Sequence, residues 1–390
     1  MAWLFVGAAL FIVYVLAGYP LLLGWLARRA ARPVRKQRVR KTVSVIVPVS
    51  DGERWIAGKL ESILALDYPR ELIEIAVVSN GCRDRTEEIV AEFAVHGVEL
   101  LRLGVADKAL AINRAVERAK GEILFFTDVR QRLDPGSLAE LVDCFADPEV
   151  GVASGEAVIL EGTTHEEASV GLYRRYENWI RDKLSRIDSV FGATGCIWAM
   201  RRELAAPMPA GTLLDDVHLP LAAFFRGYRL IFDGSAKAFD YPTALDIEFR
   251  RKVRTLAGVY QVIGAYPALL GPANRMWIHF VSHKFGRLLL PWALLATAIS
   301  SLFLPWPWGM AALASQAAFY ALAAADAWAA EGGALKRISS PARTFVVLMA
   351  AAACAVSVWF VADGRLWKPT RVRPARTPGP GRREDEHSRR

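Results

Sequence analysis

The apolar residues of this chain gather at its two ends, while the middle alternates apolar and polar runs. Residues 2–27 carry no charged side chain, a stretch long enough to cross a bilayer as one helix. No Lys or Arg precedes it and a basic run follows it. That is the reverse of a cleavable leader, so the pattern predicts an uncleaved anchor with its N-terminus outside and the basic run inside. Residues 288–304, 309–328 and 344–362 are three further apolar segments. Pro305-Trp306-Pro307-Trp308 reads as a turn with interfacial tryptophans, and 331–343, with Lys336, Arg337 and Arg343, suits the cytoplasm. Three spans after an inside domain would leave the tail outside, yet the tail is basic. Whether one of the three is re-entrant or interfacial stays open.

Between the apolar ends, strand-like and helix-like patterns alternate. Strands are predicted at 43–47, 73–78, 98–103, 122–126 and 150–154, and helices at 53–66, 84–95, 108–120 and 135–145. This alternation predicts an α/β domain, Rossmann-like, with a mainly parallel sheet covered by helices on both faces. Such sheets bind ligands at the carboxyl ends of their strands. Three strands end in short polar runs: Pro48-Val49-Ser50-Asp51, Ser79-Asn80-Gly81 and Thr127-Asp128-Val129-Arg130. No GxGxxG and no GxxxxGK[ST] lies at these turns, so a dinucleotide or P-loop reading lacks its motif. Residues 173–187 mix aromatic, Arg and Lys residues at helical spacing, which fits a helix resting on the membrane surface or a partly exposed amphipathic helix.

Charge sharpens the layout. The net charge is +9. Residues 28–41 hold eight Lys/Arg and no acid, and 365–390 are net +6. The flanks therefore carry +14 and the rest about −5. A basic pI drawn from flanks argues against a nucleic-acid-binding domain and for charge beside membrane lipids. Cys82, Cys144, Cys196 and Cys354 form no CxxC pair or Cys/His spacing, which speaks against a zinc site or a disulfide framework. The predicted organisation is an apolar helix (1–27), a basic juxtamembrane linker (28–41), the α/β domain (42–244), amphipathic interface helices (245–287), an apolar region of about three segments (288–363) and a basic disordered tail (364–390).

Several runs carry a closer likeness. VSVIVP at 43–48, VVSNGCRDRT at 77–86, DKALAIN at 107–113, Asp128-Val129-Arg130, Leu213-Leu214-Asp215-Asp216 and Arg251-Lys252-Val253-Arg254-Thr255 occur in one order. In that order they resemble the motifs of membrane-bound family 2 glycosyltransferases with a GT-A domain, the group that includes cellulose, chitin and hyaluronan synthases. The likeness covers roughly residues 1–370. Asn80 stands where relatives place an acid that reads uracil, Asp107 replaces a glycine, and Arg130 replaces the second acid of DxD. Arg251 and Thr255 replace the Gln and Trp of QxxRW, with Gly258 and Gln261 at matching offsets. The Gly192–Arg202 run resembles the acceptor-side G-x-x-G segment, with Gly195 allowing close backbone approach.

The resemblance implies an inverting transferase. It would move a sugar from a nucleotide-sugar donor, UDP-linked first, to a polysaccharide or lipid-linked acceptor at the inner face of the plasma membrane. Asp216 would be the base, with Asp215 beside it and Arg254 at the leaving group, while Asp128 holds Mg²⁺ or Mn²⁺. Pro48, Asp51, Asn80, Lys108, Arg130, Gly195 and Arg251 would bind substrate. By spacing alone Asp215 or Asp216 also fits a helix N-cap, and Arg130 a direct phosphate contact. Trp198 fits core packing better than sugar stacking, and His283 fits interfacial structure. Two alternatives remain: a non-processive transferase acting on polyprenyl phosphate or glycolipid, and an inactive nucleotide-sugar-binding scaffold among the proteins of an export complex.

Overall fold

The computed structural model describes residues 1–160, 165–241 and 245–359; the tail beyond 363 and the boundary at 242–244 lie outside the described residues. Eight strands form one sheet: β1 (Val43–Val49), β2 (Ile73–Asn80), β3 (Val98–Leu103), β4 (Ile123–Phe126), β5 (Arg132–Leu133), β6 (Val150–Ile159), β7 (Trp198–Arg201) and β8 (Arg229–Asp240). Their order is β3-β2-β1-β4-β7-β6-β8-β5. The first four strands are parallel, as the alternating pattern predicts. β7 runs antiparallel between β4 and β6, β5 pairs antiparallel with β8, and β6 pairs parallel with β8. The sheet is therefore mixed, with its parallel half in β3-β2-β1-β4. β1 continues through Pro48, which lies past the last β4 pair at Ile46, where β1 has one neighbour. A proline is tolerated in a strand only where its missing N–H faces no ladder.

β1 is buried at every position, as a strand covered on both faces must be. One face packs under the Ile56–Leu64 and Ser137–Asp143 helices, the other under Lys108–Arg118, His165–Ile187 and Asp215–Phe225. β7 and β8 escape the hydrophobic pattern. β7 has four residues, and β8 carries Asp233, Gly234, Ser235 and Lys237 in its middle. β6 runs to Ile159 rather than 154, with register shifts against β8.

The first apolar stretch is helical from Ala2 to Arg29. It packs against the Gly286–Ser301 helix: a Cβ on Gly286 would stand 3.2 Å from Val15, and the Tyr14 hydroxyl meets Ser282 at 2.7 Å. Among the described residues, three helices are long and apolar enough to cross a membrane, Ala2–Arg29, Trp308–Ala325 and Ala334–Trp359. The segment 331–343, expected as a charged loop, instead enters the last helix. Lys336, Ser339, Ser340 and Arg343 all donate to the buried Asp326 carboxylate, which offsets one of the two positive charges within the helical pair. The end of that helix returns to the domain. Ala355 packs with Leu213 and Ala257, and Trp359 meets Tyr260 edge-on.

The basic linker is strapped to the domain. Arg32 pairs with Glu149 and Asp188, and Lys36 with Asp233 and Glu140. Arg229, 2% exposed, donates to the carbonyls of Asp188, Ser185 and Arg32. It thus ties the end of the His165–Ile187 helix to the linker and to β8. Arg229→Met leaves three buried carbonyls unpaired and should cost about 3 kcal/mol or more, read as a lower Tm; an unchanged Tm would remove Arg229 from this role.

Candidate active site

The loops after β1 and β2 are laced together. Asp51, with φ of 49°, accepts the Arg83 N–H at 2.8 Å. The Gly52 N–H donates to Thr86 and the Glu53 N–H to Asp84. Asp51, Cys82 and Asp84 bring ligand atoms within 4.8 Å of one another, but both carboxylates already accept from these backbone groups. Asn80 is 2% exposed, and its Oδ1 accepts the Asp107 N–H at 2.6 Å. Asp107 accepts from Leu110 N–H as the N-cap of the Lys108–Arg118 helix and from Gly211 N–H at 2.8 Å. The departure from glycine at 107 thus has a job: its carboxylate joins the start of this helix to the segment that leads to Asp215. Pro48, Asp51 and Asn80 sit at these strand ends, apart from the cavity described next.

That cavity, about 310 Å³, lies at the end of β4. It brings together Asp128, Lys108, Gly195, Asp215, Asp216, Arg251 and Arg254. Lys108 Nζ lies 2.9 Å from Asp128 Oδ1 and 3.1 Å from Asp215 Oδ1. Burial works against the ammonium, but the two carboxylates outweigh it and raise its pKa. Asp216 goes the other way. Burial, then the Asp215 charge, push its carboxyl up to about 7, against the pull of Lys108. Asp215 and Asp216 occupy the first turn of the Asp215–Phe225 helix; Leu214 is the N-cap, and no side chain caps it. Neither carboxylate is used as a cap, so both remain available to the cavity. A Cβ on Gly195 would stand 3.1 Å from Asp216 Oδ2 and 3.9 Å from Asp128 Oδ2. This glycine keeps open the space between the two acids.

The Leu245–Ala265 helix forms the next wall. Arg254 makes no hydrogen bond among the described residues, and its Nε is buried without a partner. Gln261 accepts from Leu213 N–H at 2.9 Å and donates to the Gly211 carbonyl at 3.0 Å. A Cβ on Gly258 would collide with Leu214. Together Gly258 and Gln261 press this helix onto the segment that carries Asp215 and Asp216. Thr255, where relatives have Trp, lines the cavity and bonds the Arg251 carbonyl. Arg130 turns elsewhere: its Nη2 lies 2.7 Å from Asp240 Oδ2, both nearly buried. It holds the end of β8, and is not directed at the cavity as a phosphate contact would be. Asp128 is thus the one acid of its motif facing the cavity. Its Oδ2 makes no hydrogen bond and could ligate a hard cation whose other ligands are phosphate oxygens and water.

Other lining residues escaped the sequence reading: Arg174, Arg181, Asp240, Glu248 and Lys284. The 173–187 helix hinted at the first two through its Arg and aromatic content; the rest had no signal. Trp198 is fully buried and stacks on Phe126 at 4.0 Å, a core residue as expected. His283 and Lys284 line the cavity, in addition to meeting the first apolar helix. Seven cationic side chains line it against six acids, and Arg130 and Arg287 from outside already match Asp240 and Glu177. The surplus of positive charge suits an anionic ligand.

Known proteins resemble parts of this chain. The model of the family "Glycosyl transferase family 2" matches residues 44–206. The Bacillus subtilis (strain 168) protein named "Probable glycosyltransferase YdaM" is 23% identical over 61% of this chain and 60% of its own length. A poly-beta-1,6-N-acetyl-D-glucosamine synthase of Staphylococcus epidermidis is 27% identical over 29% of this chain and 28% of its own. The chain thus spans less than two thirds of these relatives. The structure of a mannosyltransferase from Pyrobaculum calidifontis, in complex with GDP-Man and Mn²⁺, superposes with a TM-score of 0.72 over 92% of this chain and 99% of that one, at 24% identity. The fold is that of a GT-A glycosyltransferase flanked by apolar helices. Residues 44–206 thus match a family 2 glycosyltransferase domain.

Two variants probe this geometry. Gly258→Ala should displace Leu214 and lower turnover about ten-fold or more, with donor binding retained; full turnover would show that the close approach is not needed. Asp216, protonated when folded below about 7 and ionised above it, makes the folded state less stable as pH rises from about 4 to 7. Asp216→Asn should therefore raise Tm most above pH 7, and a Tm no higher there would argue against a strained buried carboxylate.

Proposed function

We propose that the chain is an inverting glycosyltransferase that moves a sugar from a nucleotide-sugar, UDP-linked first, to a hydroxyl of a polysaccharide or lipid-linked acceptor. The observation that carries this reading is the part-buried Asp216, its carboxyl pushed up to about 7, lining one cavity with Asp128 and the unpaired Arg254. The Asp216 carboxylate takes the proton of the acceptor hydroxyl as its oxygen attacks the anomeric carbon. The bond from that carbon to the diphosphate breaks, and the electron pair leaves on the nucleoside diphosphate. Arg254 and Arg251 meet that charge in a water-poor site. A divalent cation on Asp128 would supply further charge neutralisation at the diphosphate. Lys108 spaces Asp128 from Asp215 and keeps the buried pair from repelling. The Asp51 and Asn80 turns would frame the nucleoside. A single displacement with one base and no enzyme nucleophile gives inversion. Thr255 offers no aromatic platform for a growing chain, which supports a second reading, a single-addition transferase acting on polyprenyl phosphate or glycolipid.

The domain would face the cytoplasm, because a basic run follows the first apolar helix. Trp359 packs on Tyr260, so chain beyond 359 would emerge on the same side as the domain. That requires an even number of crossings between Gly286 and Ala355, and one of the three apolar helices there does not cross. A fluorescent or phosphatase reporter fused after residue 359 should report the cytoplasmic side; the opposite side would overturn this topology.

The function is tested by nucleoside diphosphate release from purified protein in nanodiscs, with a panel of UDP-sugars and GDP-mannose, with Mg²⁺, Mn²⁺ or EDTA. One donor should give sugar-dependent release that rises with pH through about 7, falls about 100-fold or more in Asp216→Asn, and is lost with EDTA. Donor binding without release from any sugar and acceptor would favour the inactive scaffold.

A further inference from the structure

The helix His165–Ile187 and the π-helical turn Phe280–Phe285 build one wall of the cavity. π-Turns inside helices often mark functional sites. On this wall Glu177 is matched by Arg287, and His283 is held neutral, burial pushing it down to about 4. Lys284 lines the cavity with no hydrogen-bond or ion-pair partner among the described residues. Burial pushes its pKa down to about 8, Glu177 opposing, so it is charged at neutral pH. Arg181 donates Nη2 to the Gly192 carbonyl at 2.9 Å and to Ser154, and its Nε is buried without a partner. Arg174 also lines the cavity without a hydrogen bond. Cations kept in a poorly solvated pocket with unfilled donors need an anion to offset their desolvation.

The donor diphosphate does not account for them, because Asp128, Arg251 and Arg254 already serve it on the other elements. The wall also borders the apolar helices. Lys284 stands two residues before the Gly286–Ser301 helix, and Tyr19 of the first apolar helix stacks on His283 with ring centres 6.0 Å apart. We propose that Lys284, Arg181 and Arg174 form a second anion subsite that takes the phosphoryl group of a lipid-linked acceptor, whose hydrocarbon chain leaves between the apolar helices. The subsite deepens the transferase reading and rests on it: the phosphate anchors the acceptor, and the acceptor's sugar hydroxyl is what reaches Asp216.

Binding is measured without turnover, on the full chain in nanodiscs, by tryptophan fluorescence with a short-chain prenyl phosphate, the matching prenyl alcohol and inorganic phosphate. The prenyl phosphate should bind about ten-fold or more tightly than the alcohol, and inorganic phosphate should compete only weakly. Lys284→Gln removes no partner from any other group and should fold; it should erase the preference, and Lys284→Arg should keep it. Equal affinity for phosphate and alcohol, or an undiminished preference in Lys284→Gln, would overturn the subsite. Inorganic phosphate binding as tightly as the prenyl phosphate would overturn its lipid source. Prenyl phosphate binding that survives while no nucleotide-sugar is turned over would retain the subsite and sink the transferase reading instead.

Discussion

Charge burial governs this structure. The cavity crowds Asp128, Asp216 and the buried Asp215 together, and carboxylates so placed are tolerated only if something answers their charge. Lys108 answers two of them at once, which is why its position matters more than that of any other cation in the site. That position is inherited. Lys108 opens a helix whose N-cap, Asp107, is itself held by Asn80 and holds Gly211. The end of β2, the start of this helix and the segment before Asp215 are thus one bonded unit. Asp216 is the group left incompletely answered, and its proton affinity near neutrality follows from that deficit.

The same unit reaches the apolar helices. Gly211 and Leu213 are gripped by Gln261, Leu214 fits against Gly258, and Leu213 also touches Ala355 at the end of the last apolar helix. The acidic pair is therefore braced from both the sheet and the helices that follow residue 245. A GT-A domain cut from these helices would lose one side of that brace. This is a physical reason for the domain and its apolar helices to form one continuous structure, and the fold shared with the Pyrobaculum calidifontis enzyme over 92% of this chain extends through both.

Replaced motif positions are explained by local partners rather than by loss of the site. Asp107 in place of glycine gains a cap and a cross-link. Arg130 in place of a carboxylate gains Asp240, and with Gln131 it closes the end of β8 against the β4 loop. Lys59, fully buried, supports that loop from behind by donating to Thr127 and to the Gln131 carbonyl. Asp128 is thus held by a rigid loop, although it has lost the second acid of its motif.

The sequence by itself determined the parallel half of the sheet, because short runs such as 43–49, buried at every position, and 73–77, alternating, carry local patterns. Motifs kept in order also pointed to Asp128, Asp215, Asp216, Arg251 and Arg254, which the fold brings to one cavity, and hydropathy marked the apolar ends. It could not determine β7 and β8, whose polar interruptions are offset by partners far along the chain. Nor could it place Arg130 against Asp240, 110 residues away, or Lys284 beside Arg181, or the end of the last helix on Leu213. Those depend on which side chains meet after the sheet has curled and the helices have packed, and no periodicity within one segment encodes a partner in another.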